Sequence, residues 1–328
     1  MPDRRPKVSI GTPVYNGERY LRDALEAIAR QTFTDFEVII CDNASTDGTA
    51  GIAREFVQRD SRFRYHRNEE NIGAARNFNR TFELAQGEYF KWAAADDLIA
   101  PEYLAKTVPV LEADPSAALC YTSVRVIDDA GRVVGEHLVE LQHTADDSPS
   151  RRFGEFIRRS PTCFQVFGLF RADVLAQTPL IASHVGSDKT LIAEISLRGK
   201  VIYLPEPLFF SRQHGGRSVK LPREKLAAWY DPRSGRSNMP TWRKWRENFG
   251  AVRRAPLPPG ERVKSYGQAL LWAFSGRNLA LLGLDIVNAV APGSWSRVWD
   301  FYERRFRPRG YSTAYYRYYD QPQDKEGF

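Results

Sequence analysis

The chain has 328 residues, 42% of them hydrophobic and 27% charged, a globular composition large enough for one big domain or two ordinary ones. Its net charge of +7 is uneven: residues 1–218 carry 27 basic and 30 acidic side chains, and residues 219–328 carry 20 and 10. Three cysteines in apolar surroundings (Cys41, Cys120 and Cys163), with no C-x-x-C spacing, argue against a disulfide framework or a thiolate metal site and for a reducing, cytoplasmic setting.

The N-terminus runs straight into a strand, without the apolar region of a signal peptide. Residues 7–12 read as that strand, 17–31 as an amphipathic helix and 36–41 as a second strand. Next come a helix over 47–59, with Ser45 or Thr46 as its N-cap, and a short strand over 62–66. A helix over 71–86 is closed by Gly87, and a fourth strand covers 89–93. Short buried strands alternating with helices predict an α/β fold with a mostly parallel sheet covered on both faces. Beyond Pro101 the pattern predicts a helix to about Asp114, a strand over 118–122 and a hairpin turning at Asp128–Gly131. Residues 136–152 read as a polar loop. Strands over 164–170, 201–204 and 207–212, and a helix over 187–198, complete the first two thirds. The apolar run 279–291 is too short to span a bilayer and contains Asp285.

In parallel sheets of this kind ligands bind beyond the carboxyl ends of the strands. Those ends read Gly11 to Asn16, Asp42 to Ser45, and Asp96-Asp97. Two adjacent carboxylates repel each other and are costly to desolvate, so a cation is the natural neighbour; Mg²⁺ and Mn²⁺ prefer oxygen ligands and often share them with substrate phosphates. The competing reading is that the pair caps the helix that starts near Pro101.

The stretch VSIGTPVYNGERYLRDALEAIARQTFTDFEVIICDNASTDGT resembles the opening of family-2 glycosyltransferases: a strand, P-x-Y-N, a helix, Q-T, a second strand and D-x-S-x-D-x-T. NIGAARNFNRTFELAQGEYFKWAAADDL is similar to that family's next block, and the likeness covers roughly residues 7–215. The resemblance implies a GT-A fold, a nucleotide-diphosphate sugar donor (a UDP-sugar favoured), a divalent cation, Mn²⁺ or Mg²⁺, and inversion at the anomeric carbon. It implies a glycosyltransferase domain over 1–218, its nucleotide-sugar half up to about 100 and its acceptor half beyond, followed by a helical extension over 219–328.

By that resemblance Asp42 contacts the nucleobase, and Thr12, Pro13 and Tyr15 frame base and ribose, although Tyr15 also suits a packing role. Asn71 and Arg76 open a helix whose N-terminus favours anions, which makes Arg76 a candidate for the diphosphate or the base edge and, equally, a solvated charge. Asp97 is the metal ligand and Asp96 holds ribose or a metal-bound water. Ala94 stands where the fuller acidic motif has its first Asp. Asp188 falls at the position of the catalytic base, with Ser187 replacing the usual acidic neighbour and Lys189 beside it. His214, in Arg212-Gln213-His214, is a metal or diphosphate ligand or a structural histidine. Thr162, Gln165 and Gly168 are acceptor or donor contacts.

The region after 218 holds six of the seven tryptophans. Residues 266–291, apolar and flanked by Arg, Trp and Tyr, suit an interfacial amphipathic helix that would bring the protein to an anionic membrane and a saccharide or lipid-linked acceptor. A helical subdomain packed on the core, or a contact in a homo-oligomer, is the other reading; no motif supports nucleic-acid binding. Two other functions stay open on the residues: a sugar nucleotidyltransferase, disfavoured because GTPVYNGER lacks the expected Gly-rich, Arg- and Lys-containing loop, and a catalytically weak glycosyltransferase-like binding protein, suggested by Ala94 and Ser187.

Overall fold

The computed structural model describes residues 5–137, 141–159, 162–218, 221, 223–232 and 239–290. Strands β1 (Val8–Val14), β2 (Phe36–Asp42) and β4 (Tyr89–Trp92) are buried along their whole length, because both faces of the sheet are covered. β3 (Phe63–Arg67) closes one edge. Between these strands run α1 (Leu21–Ala29), α2 (Thr49–Arg59) and α3 (Ala74–Glu83). The second half supplies β5 (Leu98–Ile99), α4 (Tyr103–Ala113), β6 (Ala117–Ile127), β7 (Val133–His137) and α5 (Pro149–Arg159). It continues with β8 (Leu169–Arg171), α6 (Ala172–Leu175), α7 (Ser187–Arg198) and β9 (Lys200–Arg212). The extension begins with α8 (Arg223–Tyr230), α9 (Pro240–Arg254), α10 (Pro259–Phe274) and α11 (Gly276–Val290).

The strands form one sheet in the order β3-β2-β1-β4-β8-β6-β9-β5, with β7 paired to β6. The β1–β2, β1–β4, β2–β3 and β6–β9 pairs are parallel, and the shorter β8, β5 and β7 pairings are antiparallel. Two apolar clusters fill its two sides. One gathers Leu21, Leu25, Phe56, Tyr103 and Leu104 from α1, α2 and α4. The other gathers Phe153, Phe156, Leu191 and Ile195 from α5 and α7 with Ala251, Val252, Trp272 and Leu282 from α9, α10 and α11. The extension therefore shares its apolar core with the sheet.

Several local expectations are revised. The α2 cap is Gly48: Ser45 Oγ instead accepts from Asn16 N at 2.9 Å, and the Thr46 N–H donates to Asn16 Oδ1 at 2.9 Å. The polar loop expected over 136–152 is shorter, because α5 begins at Pro149; residues 138–140 lie outside the described ones. Arg152, at the end of that expected loop, is buried and donates to the Ser196, Asp146 and Asp147 carbonyls. Strands expected over 118–122 and 201–212 merge into the long β6–β9 ladder, which absorbs Pro205 and Pro207 as an irregularity. The segment 164–170 is a 3₁₀ turn (Phe164–Phe167) leading into β8. The apolar run from 266 is split at Ser275–Gly276 into α10 and α11, and Trp295 and Trp299 lie outside the described residues.

Candidate active site

The parallel register sets Val14 beside Asp42 and carries β4 to the same edge, so the loops after β1, β2 and β4 converge. Asp42 is fully buried. Its carboxylate accepts from Ser45 N at 2.8 Å, Tyr65 Oη at 2.7 Å and Arg67 Nη1 at 2.7 Å. Burial works against its charge, but the hydrogen bonds from Ser45 and Tyr65 and the Arg67 charge prevail and hold its pKa below the usual carboxylate value. Three of roughly four acceptor positions are taken by the protein itself, and the carboxylate has no exposed surface. Replacing Asp42 by alanine strands the Tyr65 and Arg67 donors. Arg67 is partly solvated, so the expected cost is about 1–3 kcal/mol of folding stability in urea titrations. The wild-type advantage should be present above the unfolded carboxylate pKa and vanish as pH falls through the lower folded value.

Thr12 is fully buried with its hydroxyl unpartnered, Pro13 is buried in register with Cys41, and Tyr15 is 48% exposed at the rim. Asn71 is tied into the loops: its Oδ1 accepts from Asn43 Nδ2 at 2.8 Å and from Gly73 N at 2.9 Å. Arg76 is exposed. No hydrogen bond or ion pair among the described residues links Asn71 or Arg76 to the Asp96–Asp97 pair. The start of α3 carries a different neighbour. Gly73 has φ +85°, and a Cβ there would lie 2.6 Å from the Tyr230 carbonyl and 2.7 Å from Pro232 Cδ. The end of α8 is thus seated on the donor-side loop.

Asp96 and Asp97 follow β4, and neither caps α4, whose N-cap is Glu102. They are held by the end of β9. Asp97 Oδ1 accepts the Arg212 backbone N–H at 2.8 Å, while Arg212 Nε donates to the Asp96 carbonyl at 3.0 Å. The same buried guanidinium donates to the Asp129 carbonyl at 2.9 Å and pairs with Asp23 at 3.0 Å, pinning the β6–β7 turn and α1 to this loop. His214 Nε2 lies 2.8 Å from Asp96 Oδ2, and its ring rests on Tyr20 at 4.6 Å. Burial, then the adjoining Asp96, push the Asp97 carboxyl up to about 7; Arg217 supplies opposing positive charge. Below it, burial pulls the Lys91 amine down to about 7; its Nζ donates to the Phe167 carbonyl and sits 4.4 Å from the Tyr103 ring centroid.

Two crowded carboxylates and an imidazole form an oxygen-rich donor set suited to Mn²⁺ or Mg²⁺. Among the described residues no three His, Cys, Asp or Glu side chains are arranged to hold a metal by themselves. The fit is therefore to a cation that completes its shell with ligand oxygens.

Asp188 lies in the first turn of α7, after Gly186 with φ +81°. Asp188 stands beside the Cys163 thiol, whose pKa burial and then the Asp188 charge push up, and Lys189 and Lys244 bring positive charge to the same corner. Tyr230 also stands close to Asp188: burial and then the Asp188 charge raise the phenol's pKa. The segment 162–168 runs from Lys91, behind the Asp96–Asp97 pair, to Asp188, since the Phe167 carbonyl meets Lys91 and Cys163 stands beside Asp188. Within it Thr162 Oγ1 is 3.0 Å from His137 Nε2, and Gln165 is buried with its Oε1 unpartnered. Gly168 serves packing, because a Cβ there would lie 2.7 Å from the Cys120 carbonyl.

Sequence reasoning did not single out Tyr65, Arg67, Lys91, Arg217 or Tyr230, and named Arg212 only as the start of the motif that ends in His214. Arg67 was detectable in principle as a basic residue ending a strand beside Asp42; Tyr230 was not, because only tertiary packing brings it to Asp188.

The fold is an α/β sheet of GT-A type, and residues 9–178 match the family model for Glycosyl transferase family 2. The chain belongs to that family. It is 30% identical over 223 residues to the putative glycosyltransferase EpsH of Bacillus subtilis (strain 168), a match covering 67% of this chain and 60% of EpsH. In fold it is similar to S. aureus TarS 1–349 in complex with UDP-GlcNAc, with TM-score 0.60 and 17% identity over 89% of this chain and 82% of that one. It is also similar to the mannosyltransferase PcManGT of Pyrobaculum calidifontis in complex with GDP-Man and Mn²⁺, with TM-score 0.52 and 20% identity over 95% and 84%.

Proposed function

We propose that the protein transfers a sugar from a nucleotide-diphosphate donor, a UDP-sugar favoured, to an acceptor hydroxyl with inversion, in the synthesis of a surface polysaccharide, glycolipid or glycoconjugate. The observation that carries this reading is the placement of Asp96 and Asp97 after β4, with residues 162–168 running from Lys91, behind that pair, to Cys163 beside Asp188. Donor-bound neighbours of this fold support the substrate class, since TarS was solved with UDP-GlcNAc and PcManGT with GDP-Man and Mn²⁺.

In this mechanism the acceptor oxygen attacks the anomeric carbon from the side opposite the nucleoside diphosphate. The bond from that carbon to the diphosphate oxygen breaks, and Asp188 takes the acceptor proton. Cys163, Lys189 and Tyr230 orient and polarise Asp188, and Arg217 adds positive charge beside the diphosphate. A divalent cation held by Asp97, with Asp96 and His214, would neutralise charge on the leaving diphosphate.

A thermal-shift screen of UDP-, GDP- and dTDP-sugars with and without Mn²⁺ tests the reading, because a ligand that binds the folded state raises its apparent stability. A UDP-sugar is expected to raise Tm in a Mn²⁺-dependent manner. Failure of every nucleotide sugar to shift Tm would overturn the proposal.

A further inference from the structure

Fourteen large apolar side chains are exposed among the described residues, and eight of them lie on α10 and α11. On α10 they are Val263, Leu270, Leu271 and Phe274; on α11 they are Leu279, Ile286, Val287 and Val290. Each set recurs at helical spacing and marks one stripe per helix. The opposite sides are engaged. Trp245 Nε1 donates to the Ala269 carbonyl at 3.2 Å, and Trp242 Nε1 to the Leu282 carbonyl at 3.0 Å. Asp285 is turned inward, where its carboxylate accepts from Thr241 N at 2.6 Å and Trp242 N at 3.2 Å, capping α9. Both helices rest on α9, so both apolar stripes face away from it and meet at the Ser275–Gly276 break, where the helices bend by 66°.

Charge distinguishes the occupants such a face could take. Residues 219–290 hold thirteen basic and five acidic side chains, and between 265 and 290 the only acidic residue is the inward-facing Asp285. An apolar stripe without exposed carboxylates, on a strongly basic extension, complements an anionic lipid surface. A self-complementary protein interface would gain nothing from that excess of one sign. Among the described residues no single helix is long and apolar enough to cross a membrane; α10 and α11 reach that length and composition only together across their 66° bend, and α9 packs against both. We propose that α10 and α11 lie in the plane of an anionic membrane with Leu271, Phe274 and Leu279 inserted among the acyl chains.

The test is co-sedimentation of the full chain with vesicles of phosphatidylcholine alone and with vesicles in which about a third of the lipid is phosphatidylglycerol. Binding to the anionic vesicles, weakened by salt, is expected. The paired variant Leu271→Glu with Phe274→Glu should bind at least about tenfold more weakly. An unchanged Tm for the variant assigns the loss to the surface rather than to unfolding. Absence of wild-type binding to anionic vesicles overturns the proposal, and so does undiminished binding by the folded variant. A concentration-dependent dimer in light scattering that the variant abolishes, without vesicle binding, identifies a second copy as the occupant and also overturns it.

Discussion

Replacing Asp188 by alanine should lower sugar transfer by about three orders of magnitude while leaving the Tm increase given by donor and Mn²⁺ intact. The split follows from geometry. Asp188 sits at the start of α7, whereas Asp42 and the Asp96–Asp97 pair are held by Ser45, Tyr65, Arg67, Arg212 and His214, so removing it should take away the proton acceptor and leave the loops after β2 and β4 in place. The backbone there is set by Gly186 in the left-handed region and by α7 packing, so the fold should tolerate the change. Tyr230→Phe removes only a hydroxyl that stands by Asp188, and should lower kcat more than it changes KM. Near-normal turnover by purified Asp188→Ala would remove this residue from the base role.

The second large effect is at Asp97. Asp97→Asn should lower transfer by about two to three orders of magnitude and remove the Mn²⁺ dependence of donor binding, read as turnover and as Tm with UDP-sugar. Asparagine keeps a carbonyl oxygen for the Arg212 N–H, so the loop between β4 and β5 should hold its shape. Burial and the neighbouring Asp96 already oppose the charge at this site, holding the carboxyl up to about 7. A raised folded pKa means that ionisation costs stability as pH rises from the unfolded value through 7, so the neutral amide should unfold no more readily than wild type above pH 7. Unchanged Mn²⁺-dependent donor binding in a folded variant would move the cation elsewhere.

The parallel half of the sheet was legible because apolar strands, glycine and proline punctuation and amphipathic helices all agree there: β1, β2, α2 and α7 fall within a few residues of expectation. The misreadings have common physical causes. The start of α5 looked like polar loop because residues 143–152 are rich in Asp, Ser, Pro and Arg, whereas Arg152 satisfies buried carbonyls. β9 looked like two strands because its prolines suggested breaks, which the long pairing with β6 tolerates. Within the site, the strand ends located Asp42 and the Asp96–Asp97 pair. What holds them could not be read, since Arg212 reaches Asp23 across 189 positions and Tyr230 reaches Asp188 from the extension. Asn71 shows the converse: a residue suggested by its motif for a ligand is engaged by Asn43 and Gly73.

The seat of α8 on Gly73 has a consequence for how such a protein can be rebuilt. A glycosyltransferase of this shape invites recombination at residue 218, where composition changes abruptly, with one parent giving the sheet and another the tail. Besides the shared apolar core and the Glu194–Arg254 and Ser150–Glu261 links, the graft must satisfy a bare backbone at 73 that accepts the carbonyl at 230 and a phenol that arrives beside the acid at 188. A foreign tail that meets the first but not the second would give a folded hybrid with a poorly oriented base. Parents should therefore be matched on the pairing of position 73 with 230–232 before they are matched on overall identity.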